Sequence, residues 1–251
     1  MITSASIKAP YIVSMRAAWL TIGFGVAYQA ALAALIFFRP DLDPSWHSVS
    51  EWATGPHGWI MSGTFVVCSI SYFSLFALLR TQLRSCMGQI GLALLLICAA
   101  GVAGAGLFTT DPMPFRPPLS VRGTLHVVCG TGQLVLFPFA ALLINLSLAR
   151  IQGGWAMTRK LLLWTAWLPL FAFVCFAVYT GLFVVPLGPQ AYGPGVNIGW
   201  PPRFAFFTYT LWTLIVAGRP IRWSRMVPAN ATSPEWEANR PPVTRALSQS
   251  Q

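Results

Sequence analysis

Glu51, Asp111, His126 and Arg203 are a carboxylate pair, an imidazole and a guanidinium in a chain of 251 residues with only six acids and three histidines. An acid, a base and a cation gathered together could do either of two things. They could form a hydrogen-bonded ion network, or they could supply the ligands and general base of a hydrolytic metal site. The stretch "GLFTTDPMPFRPPLSVRGTLHVVCG", residues 106 to 130, makes the question concrete. An apolar run ends in Asp111, crosses four prolines, and resumes with His126 about one turn inside the next apolar run.

These groups are positioned by long apolar segments. Charged residues make up 9% of the chain and hydrophobic ones 55%, and mean hydropathy is +0.62. A soluble domain carries about a quarter charged residues. A helix of about 20 apolar residues crosses a bilayer core. The charge-free runs predict an all-α polytopic transmembrane bundle with spans at about 17–38, 58–80, 87–108, 124–149, 161–185 and 203–218. No apolar run shows the polar outer face that a soluble helix needs. The connections are short, so successive helices are expected to pack antiparallel as one unit. Pro138 and Pro169 fall inside spans, where neighbouring helices must re-satisfy the freed carbonyls.

Lysine and arginine are unevenly divided. Lys8, Arg16, Arg80, Arg84, Arg150, Arg159, Lys160, Arg219, Arg222, Arg225, Arg240 and Arg245 fall on one side, against Arg39, Arg116, Arg122 and Arg203 on the other. The positive-inside rule then predicts both termini cytoplasmic in an inner (plasma) membrane, as a multi-pass protein. This asymmetry accounts for the net charge of +10, so no nucleic-acid partner is implied. The segment 1–16 is expected to be cytoplasmic, 17–218 to form the six-helix domain, and the Pro-rich stretch 219–251 to be a disordered cytoplasmic tail. The first run exceeds the 7–15 apolar residues of a signal peptide and reads as a retained helix. No cysteine spacing suggests a disulfide framework or a thiolate metal site.

On the outer side, Ser48 and Glu51 have the spacing of a helical capping box. Ser50 lies between them, and Trp46, Trp52 and Trp59 suit the interfacial aromatic belt. Gln133 follows His126 by seven residues, which places both on one helical face that must point inward. Asp111 and His126 bracket the proline loop, and a direct carboxylate–imidazole contact between them is expected. Each of these residues also has a plainer role: Asp111 as a turn former, His126 as an interhelical hydrogen bond, Arg203 as an interfacial snorkel. The glycines of "GVAGAG" (Gly101, Gly104, Gly106), with Gly123, Gly130 and Gly132, are expected to let helices approach closely. Ser62, Ser69, Ser71 and Ser74 are expected to bond to backbone carbonyls or across helices.

The order of "SVSEWATGPHGWIMSGTF", "AGAGLFTTDP", "RGTLHVVCGTGQLVLFPFAALL" and "GWPPRFAFFTYTLWTLIVA" resembles the domain-of-unknown-function family 998 of six-span prokaryotic membrane proteins. The resemblance covers about residues 20 to 218. Its motifs fall on Ser48 or Ser50 with Glu51, on Asp111, on His126, and on Gly199 with Arg203. The family's usual His-Gly-x-x-His is here Arg122-Gly123-Thr124-Leu125-His126, with its first histidine replaced. The resemblance implies a fold and a candidate site, and no activity.

Three classes of function remain. The first is a non-catalytic membrane protein whose polar cluster (Ser48, Ser50, Glu51, Asp111, His126, Gln133, Arg203) binds a lipid or small molecule at the outer face. The second is a membrane-embedded metal-dependent hydrolase. There His126, Asp111 and one of His47 or His57 would hold zinc, with Glu51 as general base. The third and most remote is a haem protein, for which only His126 lies in a span. No cofactor is predicted under the first reading, and the sequence is silent on oligomeric state. Transport would call for a broken helix or a midplane charge, and neither is legible here.

The orientation has a direct check. In a cysteine-free background, Gln190→Cys should react with an impermeant thiol reagent on intact cells and Gln152→Cys should not. Labelling of the second position alone would reverse the topology.

Overall fold

A backbone in hydrocarbon has no water to bond, so it must satisfy itself within helices. The computed structural model describes residues 14–113 and 118–226, and all regular structure among them is helical. Of the tail expected over 219–251, residues 219–226 are helical, which corrects its start, and the rest lies outside the described residues. Helix α1 spans Met15–Phe38, α2 Gly58–Leu79, α3 Cys86–Leu107 and α4 Val121–Leu148. The fifth passage comprises α5 (Arg159–Thr165), α6 (Trp167–Tyr179) and α7 (Val185–Leu187), and α8 spans Trp200–Met226. Six helical passages are long and apolar enough to cross a membrane. Four coincide with the expected spans to within a few residues, and α8 runs on to Met226, beyond the expected end at 218.

The fifth does not run unbroken over 161–185. It extends over Gly153–Ala191 and is interrupted twice. Pro169 has no N–H for the Thr165 carbonyl and its ring crowds that oxygen, so the helix breaks at Ala166 between α5 and α6. Pro186 likewise withholds a donor, and the chain before it widens into a π-helical turn at Thr180–Val184. Such turns are frequent at functional sites. The backbone keeps right-handed helical dihedrals at Ala166, Thr180 and Val185, so the passage is kinked and widened without being unwound.

Successive helices pack antiparallel and close into a ring, in the order α1, α2, α3, α4, α6 and α8, with α8 returning to α1. One end of the ring carries the Val49–Ala53 turn, the α3–α4 connection and the Gly188–Gly199 segment. The other is tied by Ser85 Oγ to Ser147 Oγ at 3.3 Å, and by Trp155 against Gln82 and Trp223. Here lie Arg80, Arg84, Arg150, Arg159 and Lys160.

The interior of that end and the middle are filled. Phe137 stacks on Tyr209 at 4.5 Å, meets Trp212 edge-on at 5.5 Å and touches Tyr72 at 4.8 Å. Pro138 removes the donor due to the Leu134 carbonyl, and the Tyr209 hydroxyl donates to that oxygen at 2.8 Å. Membrane interhelical bonds of this kind are worth about 0.6 kcal/mol on average, so the gain is chiefly an avoided orphan carbonyl. Ser69 and Ser71 reach across to the Ala99 and Thr21 carbonyls, each at 2.8 Å, as interhelical bonding by the second-span serines requires.

The glycines divide. A Cβ on Gly101 would stand 2.9 Å from the Cys129 carbonyl, and one on Gly104 would stand 2.6 Å from the Cys129 Sγ. Gly106 approaches the Ser62 carbonyl in the same way. Gly130 and Gly132 have nothing within 4 Å and play no packing part, which corrects the expectation for them. Gly101→Val should therefore force α3 from α4 and lower the unfolding free energy by about 1–3 kcal/mol. Gly132→Ala should cause no loss. Thermal unfolding of both variants in one detergent checks the contrast, and equal losses would refute it.

Candidate functional site

The expected Asp111–His126 contact does not form. Each residue instead closes the end of the other's helix. The last carbonyls of a helix have no partner within it, and α3 ends in the bundle beside α4. His126 Nδ1 lies 3.0 Å from the Ala105 carbonyl and 2.8 Å from the Phe108 carbonyl. Carbonyls only accept, so Nδ1 carries the proton, and Nε2 is the nitrogen left open. Reciprocally, the Asp111 carboxylate accepts from Ser120 N–H at 2.8 Å and from Ser120 Oγ–H at 2.6 Å. Ser120 Oγ in turn accepts from Gly123 N–H at 2.9 Å as the N-cap of α4. A carboxylate is favoured at this end of the helix dipole. Gly123 is required there because a Cβ would stand 2.2 Å from Asp111 Oδ2.

Arg203 and Glu51 follow the same rule. Arg203 Nη1 donates to the carbonyls of Gly199 (2.7 Å) and His47 (2.9 Å), and its guanidinium lies 4.4 Å over the Trp52 ring. Gly199 lets the first outer loop approach: its N–H donates to the Ser45 carbonyl, and a Cβ would stand 2.2 Å from the Pro44 carbonyl. The Gly-x-x-x-Arg motif is thus a clamp of α8 on that loop. Glu51 Oε1 accepts from Ser48 N–H at 2.6 Å, completing its half of the capping box.

The expected four-residue ion network is therefore absent. The ion pair formed among the described residues joins two others, Arg39 and Asp41, at 2.7 Å. Arg39 also donates to the Thr54 carbonyl at 2.8 Å, which ties the end of α1 to the loop. The Arg39 hydrogen bonds hold the Asp41 carboxyl below its usual range, and the Ser45 hydroxyl and N–H do the same for Asp43. Sequence reading passed over Arg39 because nothing in its spacing marks it.

The zinc candidates are also dispersed. His47 Nδ1 lies 3.1 Å from the Asp43 carbonyl with its ring on Trp46, and His57 precedes α2. Asp111 and one nitrogen of His126 are engaged as above. Among the described residues, no group of three or more His, Cys, Asp or Glu could hold a metal ion. The ligand set drawn for a hydrolase does not assemble.

What the fold does build is a cavity of about 310 Å³ in the half of the ring nearer the Val49–Ala53 turn. Ser48, Val49 and Ser50 line it from the α1–α2 connection, with Met113, Tyr192 and Ile198 from the other two connections at that end. Its deep wall is Tyr72, Cys68 and Leu134, next to the aromatic core. His126, Gln133 and Tyr28 face it, while Gly130, Thr131, Phe176 and Thr180 line it where α4 parts from the π-helical turn. Gln133 is 5% exposed and its amide has no hydrogen-bond partner among the described residues; the Tyr28 hydroxyl has none either. Burial pushes the Tyr192 phenol up, with the Glu51 carboxylate adding to it.

Of the expected cluster, then, Ser48, Ser50, His126 and Gln133 share the cavity, and Glu51, Asp111 and Arg203 hold its surroundings. Tyr28, Tyr72, Thr131 and Thr180 were not singled out from sequence. Their signal, hydroxyls in charge-free runs, is common to any membrane helix.

Because Asp111 and His126 have separate partners, their contributions should be separable. Asp111→Asn and His126→Gln should each destabilise the bundle, and the double variant should lose the sum of the two to within about 0.5 kcal/mol. Thermal unfolding of the three variants decides this, and a double loss well below the sum would restore direct pairing.

The chain matches no curated protein and no solved structure. A family of proteins of unknown function, DUF998, matches residues 21–219, which takes in every residue of the cavity and the six passages except the start of α1 and the end of α8. The chain belongs to the DUF998 family of proteins of unknown function.

Proposed function

We propose that this integral membrane protein is a non-catalytic binder of a lipid or small amphipathic molecule, held in the central cavity. One observation carries the reading: the Gln133 amide, without a hydrogen-bond partner among the described residues, faces a chamber of about 310 Å³ whose walls are mostly apolar. Ligand pockets run from about 300 to 1,000 Å³, with few polar groups on apolar walls. The open His126 Nε2 and the Gln133 amide would read a hydroxyl or carbonyl of the ligand. Apolar portions would lie against Phe65, Val102, Leu134 and Phe206.

Entry from the bilayer is supported by the seam between α4 and the π-helical turn. Glycine stands at position 130, Thr131 is exposed, and Thr180 is half-buried. No charge guards this seam, as suits an apolar guest. The gathering of Arg80, Arg84, Arg150, Arg159 and Lys160 at the far end supports an orientation with that end and both termini cytoplasmic. The cavity then belongs to the outer leaflet of the plasma membrane.

A phospholipid bearing a diazirine in its acyl chain tests the reading in reconstituted vesicles. Crosslinks should map to peptides containing Thr131, Gln133 or Thr180, and Gly130→Trp, which fills the cavity, should abolish them. Crosslinks confined to the outward-facing Phe139 and Phe171 would leave the cavity without a bilayer ligand.

A further inference from the structure

Val49, which lines the central cavity, also borders a second hollow on the outside of the ring, between α1 and α8. This hollow, of about 400 Å³, has Trp52, Trp200 and Arg203 at its outer end and Leu32, Ala33, Ile36, Phe204 and Phe207 along its walls. Gln29 and Phe207 belong also to a third hollow of about 350 Å³, which continues toward Val26, Leu211 and Leu214. The two make one groove. From Arg203 to Leu214 is eleven residues of helix, or about 16 Å. That is close to half the hydrocarbon thickness of a bilayer, about 15 Å.

The outer end supplies a cation. Arg203 uses Nη1 on two carbonyls, while Nε and Nη2 have no acceptor among the described residues. No carboxylate there lies within ion-pairing distance of it, and Glu51 is engaged by the Ser48 N–H. The guanidinium is held in place by Trp52 beneath it, and tryptophans mark headgroup depth. Two free donors on a fixed guanidinium match the oxygens of a phosphate. The polar side chains along the groove are Gln29 and Thr210, with Gln29 Nε2 donating to Thr210 Oγ1 and to the Phe206 carbonyl, and the other side chains below the Trp52–Arg203 end are apolar.

We infer that the α1–α8 groove is a binding site for one phospholipid of the outer leaflet, with its phosphate on Arg203 and an acyl chain laid along Ile36, Phe207 and Leu214. The site is separate from the central cavity, and α8 with the Val49–Ala53 turn stands between them. Charge at one end and one leaflet of apolar length below it select a phospholipid over either a free anion or an uncharged lipid.

Detergent-purified full-length protein carrying Gly130→Trp, which fills the central cavity, titrated with dioleoyl phosphatidylglycerol and followed by its unfolding temperature, tests the inference apart from the cavity reading. The lipid should raise the temperature, whereas dioleoylglycerol, with the tails alone, and inorganic phosphate should not. Arg203→Gln added to it removes a charged donor and should weaken the apparent affinity about tenfold or more. Ala33→Trp added instead fills the groove, should abolish the rise, and serves alone if Arg203→Gln fails to fold. No rise in the Gly130→Trp protein, an equal rise with dioleoylglycerol or with phosphate, or a full rise with Ala33→Trp present would overturn the inference.

Discussion

A carbonyl that loses its helical donor inside a bilayer has no water to turn to, and this constraint organises the protein. Under Pro138 and at the end of α3, a side chain from elsewhere in the fold supplies the missing bond, and other side chains reinforce carbonyls near the ends of their helices. Tyr209 answers the Leu134 carbonyl beneath Pro138, and His126 answers Ala105 and Phe108 at the end of α3. Trp52 Nε1 donates to the Leu35 carbonyl, and Arg203 closes Gly199 and His47. Asn145 Nδ2 donates to the Leu162 carbonyl next to the break before α6. Asp111 does the converse for the first donors of α4.

The polar residues of the outer face are scarce because each is expensive there, and the backbone claims nearly all of them. Pairing them with one another would have left those backbone groups bare. An ion network and a metal site both need side chains free to meet, and at this face most are already committed. The chemistry that survives is what remains uncommitted: the second nitrogen of His126, the Gln133 amide, the Tyr28 hydroxyl, and two nitrogens of Arg203. Three of these face the central cavity and the fourth heads the α1–α8 groove.

The cavity itself follows from the fifth passage. An unbroken helix from α5 onward would lie along α4 as α3 does on its other side. Pro169 and Pro186 bend and widen the passage instead, and Gly130 offers no side chain to fill the space. Phe137, Tyr209 and Trp212 occupy the centre of the ring in one half, while in the other Tyr28, Phe65 and Tyr192 stand around the cavity and leave its centre open. Void and seam lie where the π-helical turn before Pro186 faces Gly130.

The six spans, their antiparallel succession and the Ser48–Glu51 cap were legible in the sequence because each rests on local quantities: length, hydropathy and a spacing of three residues. The inward-facing helical stripe of His126 and Gln133 was legible for the same reason, since seven residues make two turns. The partners of those residues were not. Asp111 and His126 stand fifteen positions apart, and whether they meet depends on how far α3 and α4 are staggered, which Gly123 and the Ala105 carbonyl decide. The use of Arg203 depends on a loop 156 residues away, brought to α8 by the bare backbone of Gly199. Hydropathy establishes that a helix crosses; only packing determines which carbonyls its crossing leaves open, and so which side chains are spent on them and which are left for a ligand.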